Sequence, residues 1–595
     1  MPGVIGYLGA NSLKDIHHEC FSEVTGTQVT SFSNGDYQLM LKAIGNEIGV
    51  ETHQNEDASV YIYGDIYSIK GIDLSVKSAS EVIIESYHNG NLASIAVQLN
   101  GYFVCVIADH KNKKLVLLND RYGLKPLYLW ADHSSIKAFA SEIKALVLHP
   151  AFEVSLDEEA LKTFVNVGHF LAQQTMFTDV KRMLPASICN IDLTTGSFQE
   201  EFYWTWSDID ENKNVTFDQA VELSYQLFDQ AMLRQLSVVS EKKLAITLSG
   251  GLDSRVLLSA AKQHFSGDIC TFTFGGKDCD DAVLAKEVAS HADVSNQFIE
   301  VNQENWFQGR QSGVWVTDGL KNILHMHALS SVSEITKSSH FLLNGFLGDV
   351  TFGGSYLFDS QESNLSLGEK AEIKYREYAK NAGTSLAYFN STLNDPLFIY
   401  NRGVRFISAG SDLIGHDLHN LKPFFDNDLM EFLYSLPEEY RRNGKLYHHM
   451  LLRHYPDYFK TIPWQQTGKP ISEANTGIQH TEPNWPQKFK QMLIKWVTGS
   501  PFDALLRKVY RKLVKGSHYV KYDDWLRAPE FREYVYGVLC VEHSNVQKVF
   551  SAPTVKGWVD DYYSGKAGAR PELIGSLLTI ELYFQRLAHF GKPIP

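Results

Sequence analysis

"TLSGGLDSR", residues 247–255, sets two glycines and an aspartate between two serines, directly after the apolar run "LAITL" (244–248). Where a strand turns straight into a helix through glycines, successive backbone N–H groups point into one concavity. The helix adds its positive end, so the turn favours an anion. A Walker loop carries Lys before its Ser or Thr, whereas here Asp253 precedes Ser254. A carboxylate beside phosphates is repulsive unless a divalent cation lies between them, so Asp253 implies Mg²⁺. An isolated Ser-Gly-Gly reads as a plain turn; the full Ser-Gly-Gly-Leu-Asp-Ser behind a strand is far more specific.

Around this loop, strand and helix signals alternate: "LAITL", a helix from Ser254, "ICTFTF" (269–274), a helix over "DAVLAKEVAS" (281–290), "NQFIEV" (296–301) and "FLLNG" (341–345). Alternation of this kind predicts a parallel sheet with helices on both faces. Upstream, Thr216 and Gln219 form a capping box ahead of a helical pattern running to Leu236. The polar stretch "DIDENKNVT" (208–216) before it reads as a linker. The first ~200 residues read as short strands instead, among them "SVYIYGDIY" (59–67), "GYFVCVIAD" (101–109), "KLVLLND" (114–120) and "PLYLWAD" (126–132). The unbroken apolar run from Phe103 to Ala108 predicts strands covered on both faces.

The expected division is therefore 1–207, a linker at 208–216, and 217–595, in keeping with a 595-residue chain too long for one core. Lys and Arg number 55 against 69 Asp and Glu, a formal charge of -14, so nucleic acid is not an expected partner. The basic run 507–522 reads as a solvated helix face. Six scattered cysteines without a CxxC pair suit a reducing compartment. With no basic, apolar leader and no stretch of 18 or more apolar residues, no membrane association and a cytoplasmic location are expected.

The loop resembles the pyrophosphate-binding loop of N-type ATP pyrophosphatases, which cleave ATP between the α and β phosphates. "NDRYGLKPLY" (119–128), "FASEIKAL" (139–146), "TMFTDVKRMLP" (175–185), "SGGLDS" (249–254), "NGFLGDVTFGG" (344–354) and "KPFFDNDLMEFL" (422–433) follow the order of the asparagine synthetase family over nearly the whole chain. The resemblance implies an N-terminal glutaminase-type αββα sandwich of the Ntn-hydrolase kind, then an ATP-pyrophosphatase-type parallel-sheet domain with a helical C-terminal part. It also implies ATP and Mg²⁺ as cofactors. By position, Leu248, Phe274 and Gly345 line the adenosine pocket, and Ser249, Gly250, Gly251, Leu252, Asp253 and Ser254 hold the β and γ phosphates. Asp253 and Asp349 are the expected Mg²⁺ carboxylates; a turn or N-cap role is the bland alternative for Asp349.

Several positions depart from the family. Glutamine-dependent members begin Met-Cys-Gly, and the cysteine attacks glutamine; the second residue here is Pro2. The family's "NGEIY" is "YGDIY", with Tyr63 in place of the asparagine, and no "HRGPD"-like segment is present. Phe346 replaces the Glu of "SGEGSDE", and Phe cannot take a proton. The family lysine after "W-R-Q" aligns with Thr467 in "PWQQTGKP" (463–470), with Lys469 two residues on. Lys469 is the expected catalytic residue, a solvated loop lysine the alternative. Lys445 and Arg453 read as packing or surface charge, and His448 and His449 as lacking a metal role.

These departures point to an ATP-dependent ligase that adenylates a small-molecule or peptide carboxylate and transfers the acyl group to an amine without hydrolysing glutamine. Peptide or metabolite cyclisation, as in lasso peptide cyclases and β-lactam synthetases, is the preferred form. Open alternatives are asparagine synthesis from ammonia, an amidotransferase of a polysaccharide cluster, and a non-catalytic nucleotide-binding scaffold within a biosynthetic complex.

Overall fold

The run Phe103 to Ala108 lies within an 11-residue strand buried along its whole length in the computed structural model. The structure describes residues 3–8, 28–33, 37–43, 49–132, 134–277, 279–358, 362–393, 395–472 and 520–595. Pro2, Cys20 and residues 507–519 of the basic run lie outside the described residues. Because strand side chains alternate, Val104, Val106 and Ala108 enter one core while Phe103, Cys105 and Ile107 enter another. An apolar residue at every position is thus the mark of a strand with something packed on each side.

That strand is β6 of an antiparallel sheet made of β4 (Val50–Gln54), β5 (Ala58–Ile69), β6 (Leu99–Asp109), β7 (Lys114–Asn119), β11 (Ser187–Asp192) and β12 (Phe198–Phe202). Their order is β12-β11-β7-β6-β5-β4. A second antiparallel sheet joins β1 (Gly3–Leu8), β2 (Gln28–Ser33), β3 (Tyr37–Ala43), β8 (Tyr128–Ala131), β9 (Ile136–Ala140) and β10 (Val180–Arg182), in the order β10-β8-β9-β1-β3-β2. The two sheets share a core in which Val4 and Leu39 meet Val104, Val106 and Leu117. The helix Ala79–His88 covers the free face of the first sheet through Val82, Ile83 and Ile84. On the free face of the second, Ile5, Tyr7 and Trp130 meet Leu161 and Phe164 of the helix Glu158–Val167. Leu577 and Tyr583, from the helix Pro571–His589, complete that layer. The result is the helix–sheet–sheet–helix sandwich, with one outer layer finished by the far end of the chain.

The helix Phe217–Leu236 starts with the Thr216–Gln219 capping box and leads into a five-stranded parallel sheet. Its strands are β13 (Lys243–Thr247), β14 (Asp268–Gly275), β15 (Ser295–Glu300), β16 (Phe341–Leu343) and β17 (His419–Leu421), in the order β15-β14-β13-β16-β17. After β13 the chain builds outward on one side and later returns to build on the other. The two flanking connections therefore part at the carboxyl end of β13 and leave a crevice there.

Polar contacts join the two halves. Asn427 donates to Leu99 O at 2.8 Å, and Asn100 donates to the Asp426 carboxylate at 3.0 Å, which Arg234 also grips at 2.6 and 2.8 Å. Lys144 is fully buried between Glu142 (2.6 Å) and Asp318 (3.0 Å), and Asp318 also accepts the backbone N–H of Ile143 and Lys144. Lys144→Met strands two buried carboxylates and is expected to cost about 3–5 kcal/mol of stability. A fall in the thermal and denaturant midpoints, with Lys144→Arg recovering part of it, checks this.

Candidate active site

The loop between β13 and the helix Leu252–His264 sits at that crevice. Each of three successive N–H groups in the loop has a side-chain acceptor: Ser249 N–H to Ser254 Oγ (3.1 Å), Gly250 N–H to Asp281 Oδ1 (2.8 Å), and Gly251 N–H to Ser249 Oγ (3.2 Å). Gly250 has no room for a side chain, since a Cβ there would lie 2.9 Å from Leu284 Cδ1 and 3.0 Å from Gln465 Cβ. In front of the loop opens a cavity of about 810 Å³, a size that suits a nucleotide and a second substrate. Ser249, Gly251, Leu252, Asp253 and Ser254 line it from the loop, Leu248 and Phe274 from the β13–β14 side, and Gly345 and Asp349 from the β16 side. The structure thus gathers the residues expected to hold the nucleotide around one space, with the Gly250 N–H capped by Asp281, which itself lines the cavity.

Asp253 is the electrostatic centre. Its Oδ2 accepts the backbone N–H of Asp349 at 3.0 Å and its Oδ1 accepts the Tyr447 hydroxyl at 2.9 Å. Burial and the charge of Asp349 raise its pKa, and burial raises that of Asp349. Gly348 permits the approach, because a Cβ there would fall 2.7 Å from Asp253 Cγ. Two neighbouring carboxylates on a cavity wall, Asp253 half-buried and Asp349 exposed to the cavity, suit a divalent cation. Among the described residues no group of three or more His, Cys, Asp or Glu side chains forms a metal site.

Positive charge from the protein is sparse here. Arg442 lines the cavity, but its guanidinium is bonded to Phe358 O and Glu438. His327 and His448 also line it; burial and neighbouring cations push His327 down to about 3, and burial and His449 push His448 down to about 4, so both are neutral at pH 7. A bound cation is therefore the natural source of charge for a polyphosphate.

Tyr447, His448, Asp281 and Gln465 are site residues that sequence reasoning did not single out for the site. His448, read as having no metal role, is a buried cavity residue whose Nδ1 has no hydrogen-bond partner among the described residues. Its neighbours in the helix Lys445–His454 behave as expected: Lys445 Nζ lies 4.4 Å from the Phe217 ring centroid, and Arg453 pairs with Asp218 at the surface. Phe346 is buried against Phe425 (5.1 Å between ring centroids), with Lys422 Nζ 4.8 Å from its ring, and does not line the cavity. Lys469 is exposed at the closing pair of a short hairpin, Trp464 to Lys469, and its side chain is not part of the cavity wall.

Comparison with known proteins adds two domain matches: a glutamine amidotransferase domain over residues 58–204 and an asparagine synthase domain over residues 224–396. Asparagine synthetase [glutamine-hydrolyzing] 3 of Bacillus subtilis (strain 168) is 24% identical over 511 residues, covering 72% of this chain and 81% of that protein. The human asparagine synthetase [glutamine-hydrolyzing] is 23% identical over 501 residues, covering 78% and 82%. The chain belongs to the asparagine synthetase family. At that level it is an ATP-dependent, amide-forming carbon–nitrogen ligase. Among solved structures, a glutamine phosphoribosylpyrophosphate amidotransferase from B. subtilis is 11% identical, covering 50% of this chain and 65% of that one, with a TM-score of 0.22. No helix among the described residues is long and apolar enough to cross a membrane.

Two consequences follow from the carboxylate pair. A carboxyl whose pKa is raised by folding binds more protons folded than unfolded, so stability falls as pH rises from the ordinary carboxylate value through the raised one. Without metal, thermal stability is expected to decline over that window, and saturating Mg²⁺ with a nucleotide to flatten the decline. Asp253→Asn should flatten it without metal; scanning calorimetry across pH reads both. Gly348→Ala forces Asp253 to move and is expected to weaken Mg²⁺-dependent nucleotide binding by about tenfold or more, measurable by calorimetric titration.

Proposed function

We propose that this chain adenylates a carboxylate with ATP, releases pyrophosphate, and passes the acyl group to an amine without hydrolysing glutamine. The observation that carries the reading is the Asp253–Asp349 pair on the wall of a nucleotide-sized cavity beside the "SGGLDS" loop. A free carboxylate is a poor electrophile, and joining it to AMP creates a good leaving group. The loop N–H groups and the Ser249 and Ser254 hydroxyls hold the departing pyrophosphate, and Asp253 and Asp349 hold Mg²⁺. That ion, when bound, spreads the charge that develops on the pyrophosphate. Tyr447 fixes one oxygen of Asp253 and so orients the carboxylate toward the cavity. The incoming amine must lose a proton as the C–N bond forms; burial keeps His448 neutral in the cavity wall and disfavours its protonated form.

Independence from glutamine rests on the N-terminal strands. The residue before β1, where glutamine-dependent members carry the attacking cysteine, is Pro2. Tyr63, which stands for the family's asparagine, is buried in the inter-sheet core and donates its hydroxyl to Pro126 O. Two residues on, Asp65 lies 2.8 Å from His419 Nε2 across the domain boundary, and despite its burial that contact helps hold its pKa below the usual value. The strand segment that would serve glutamine is thus committed to packing and docking. Of the remaining nitrogen sources, free ammonia, a partner's product or an amine on the substrate itself, we prefer the last, which would close a ring as in the cyclising members of the family.

The test is pyrophosphate release from MgATP across a panel of carboxylates, free ammonia and linear peptides. Release with a substrate that carries its own amine, unaffected by glutamine, is the expected result. Asp253→Ala and Asp349→Ala are each expected to lower the rate by about 10²–10³. Release that requires glutamine, or ATP binding that survives Asp253→Ala with no turnover of any substrate, would sink the reading.

A further inference from the structure

Of the three acceptors that satisfy the loop N–H groups, two are serine hydroxyls and one is a carboxylate. The difference matters once a polyphosphate approaches. A hydroxyl carries both a proton and lone pairs, so Ser249 and Ser254 can go on accepting from the loop while donating to a phosphate oxygen. An ionised carboxylate only accepts, and its charge repels the phosphate. The Gly250–Asp281 bond is therefore the loop contact that a phosphate must break to reach that N–H.

Asp281 is also tied elsewhere. Its Oδ2 accepts the side-chain amide of Gln465 at 2.8 Å, and Gln465 N–H donates to Gly250 O at 3.3 Å. Gln465 belongs to the Trp464–Lys469 hairpin, which is closed internally by Trp464 N–H to Lys469 O (2.9 Å) and Gly468 N–H to Trp464 O (2.8 Å). Its base is pinned separately: the fully buried Arg255, in the helix that follows the loop, donates to Ile462 O at 3.1 Å and Pro463 O at 2.7 Å. The hairpin is thus a self-closed arm on a fixed base, held against the loop by Asp281 and Gln465.

We propose that Asp281 is a positioning residue that holds the Gly250 seat and the hairpin together, and that a polyphosphate taking the Gly250 N–H displaces it and frees the arm that carries Lys469. This rests on the ATP-binding reading of the loop. It would bring Lys469, the expected catalytic residue, from outside the cavity toward it only after ATP.

The probe is α,β-methylene-ATP with Mg²⁺, an analogue that cannot be cleaved between those phosphates. Removing a competitor tightens binding, whereas removing a mere brace loosens it. Asp281→Ala and Gln465→Ala are each expected to bind the analogue about tenfold more tightly by calorimetry, with Asp281→Asn, uncharged but still an acceptor, in between. Hydrogen exchange at the Gln465 amide should speed up when wild-type protein binds the analogue, while the hairpin's internal amides at Trp464 and Gly468 stay unchanged. Weaker binding by both alanine variants, or slower exchange at Gln465, overturns the proposal and leaves the ATP reading standing. Failure of the wild type to bind the analogue overturns both.

Discussion

Two carboxylates brought side by side on the wall of the β13 crevice are the constraint on which the synthetase half depends. Asp253 accepts the N–H of Asp349, and each resists ionisation where it stands. Such a pair persists only because its neighbours have been shaped for it. Gly348 removes the Cβ that would collide with Asp253, Gly345 does the same beside Asp253 and Ser254, and Tyr447 supplies a hydroxyl. Left unpartnered, the arrangement is costly, and a divalent cation held by Asp253 and Asp349 would relieve it. Strain and ligand preference are one feature here.

The same economy of charge explains the surroundings. The cavity wall holds neutral imidazoles and a guanidinium already bonded, so the protein's own groups left for a polyanion are N–H groups and hydroxyls. Across the chain, the N-terminal sandwich lends structure: Tyr63 fills its core, Asp65 reaches His419, and the Asn100–Asp426–Arg234 contacts lock β6 to the synthetase half. In return, the helix Pro571–His589 completes the sandwich's outer layer. Neither half has a finished surface without the other.

Much of this was legible in residues close together in sequence. The unbroken run Phe103 to Ala108 announced a strand covered on both faces, and Thr216 with Gln219 announced the start of the helix after the linker. "SGGLDS" announced the anion loop, because a strand-to-helix turn and its glycines are local features. The helix after the loop begins at Leu252, two residues before the expected Ser254, because Gly251 is its N-cap. Asp281, Tyr447 and Gln465 escaped notice because each reaches the loop from a distant segment: 31 residues separate Gly250 from Asp281, and 194 separate Asp253 from Tyr447. Nothing local to "CDDAV" or "GKLYHHM" marks those side chains as facing the loop. His448 was set aside because it lacked a metal partner at helical spacing, whereas its importance lies in facing a cavity that spacing does not reveal.

By itself, then, the sequence determined the alternation of elements, the two-part fold, the anion loop with its aspartate, and the absence of a cysteine before the first strand. These follow from periodicity, turn chemistry and side-chain identity, all of which act over a few residues. The tertiary structure alone decided that Asp349 comes within hydrogen-bonding distance of Asp253, that Phe346 turns into the core, and that Lys469 stands outside the cavity on an arm tied down by Asp281. Those outcomes depend on which strands become neighbours at the β13 crevice, and packing between residues hundreds of positions apart settles that.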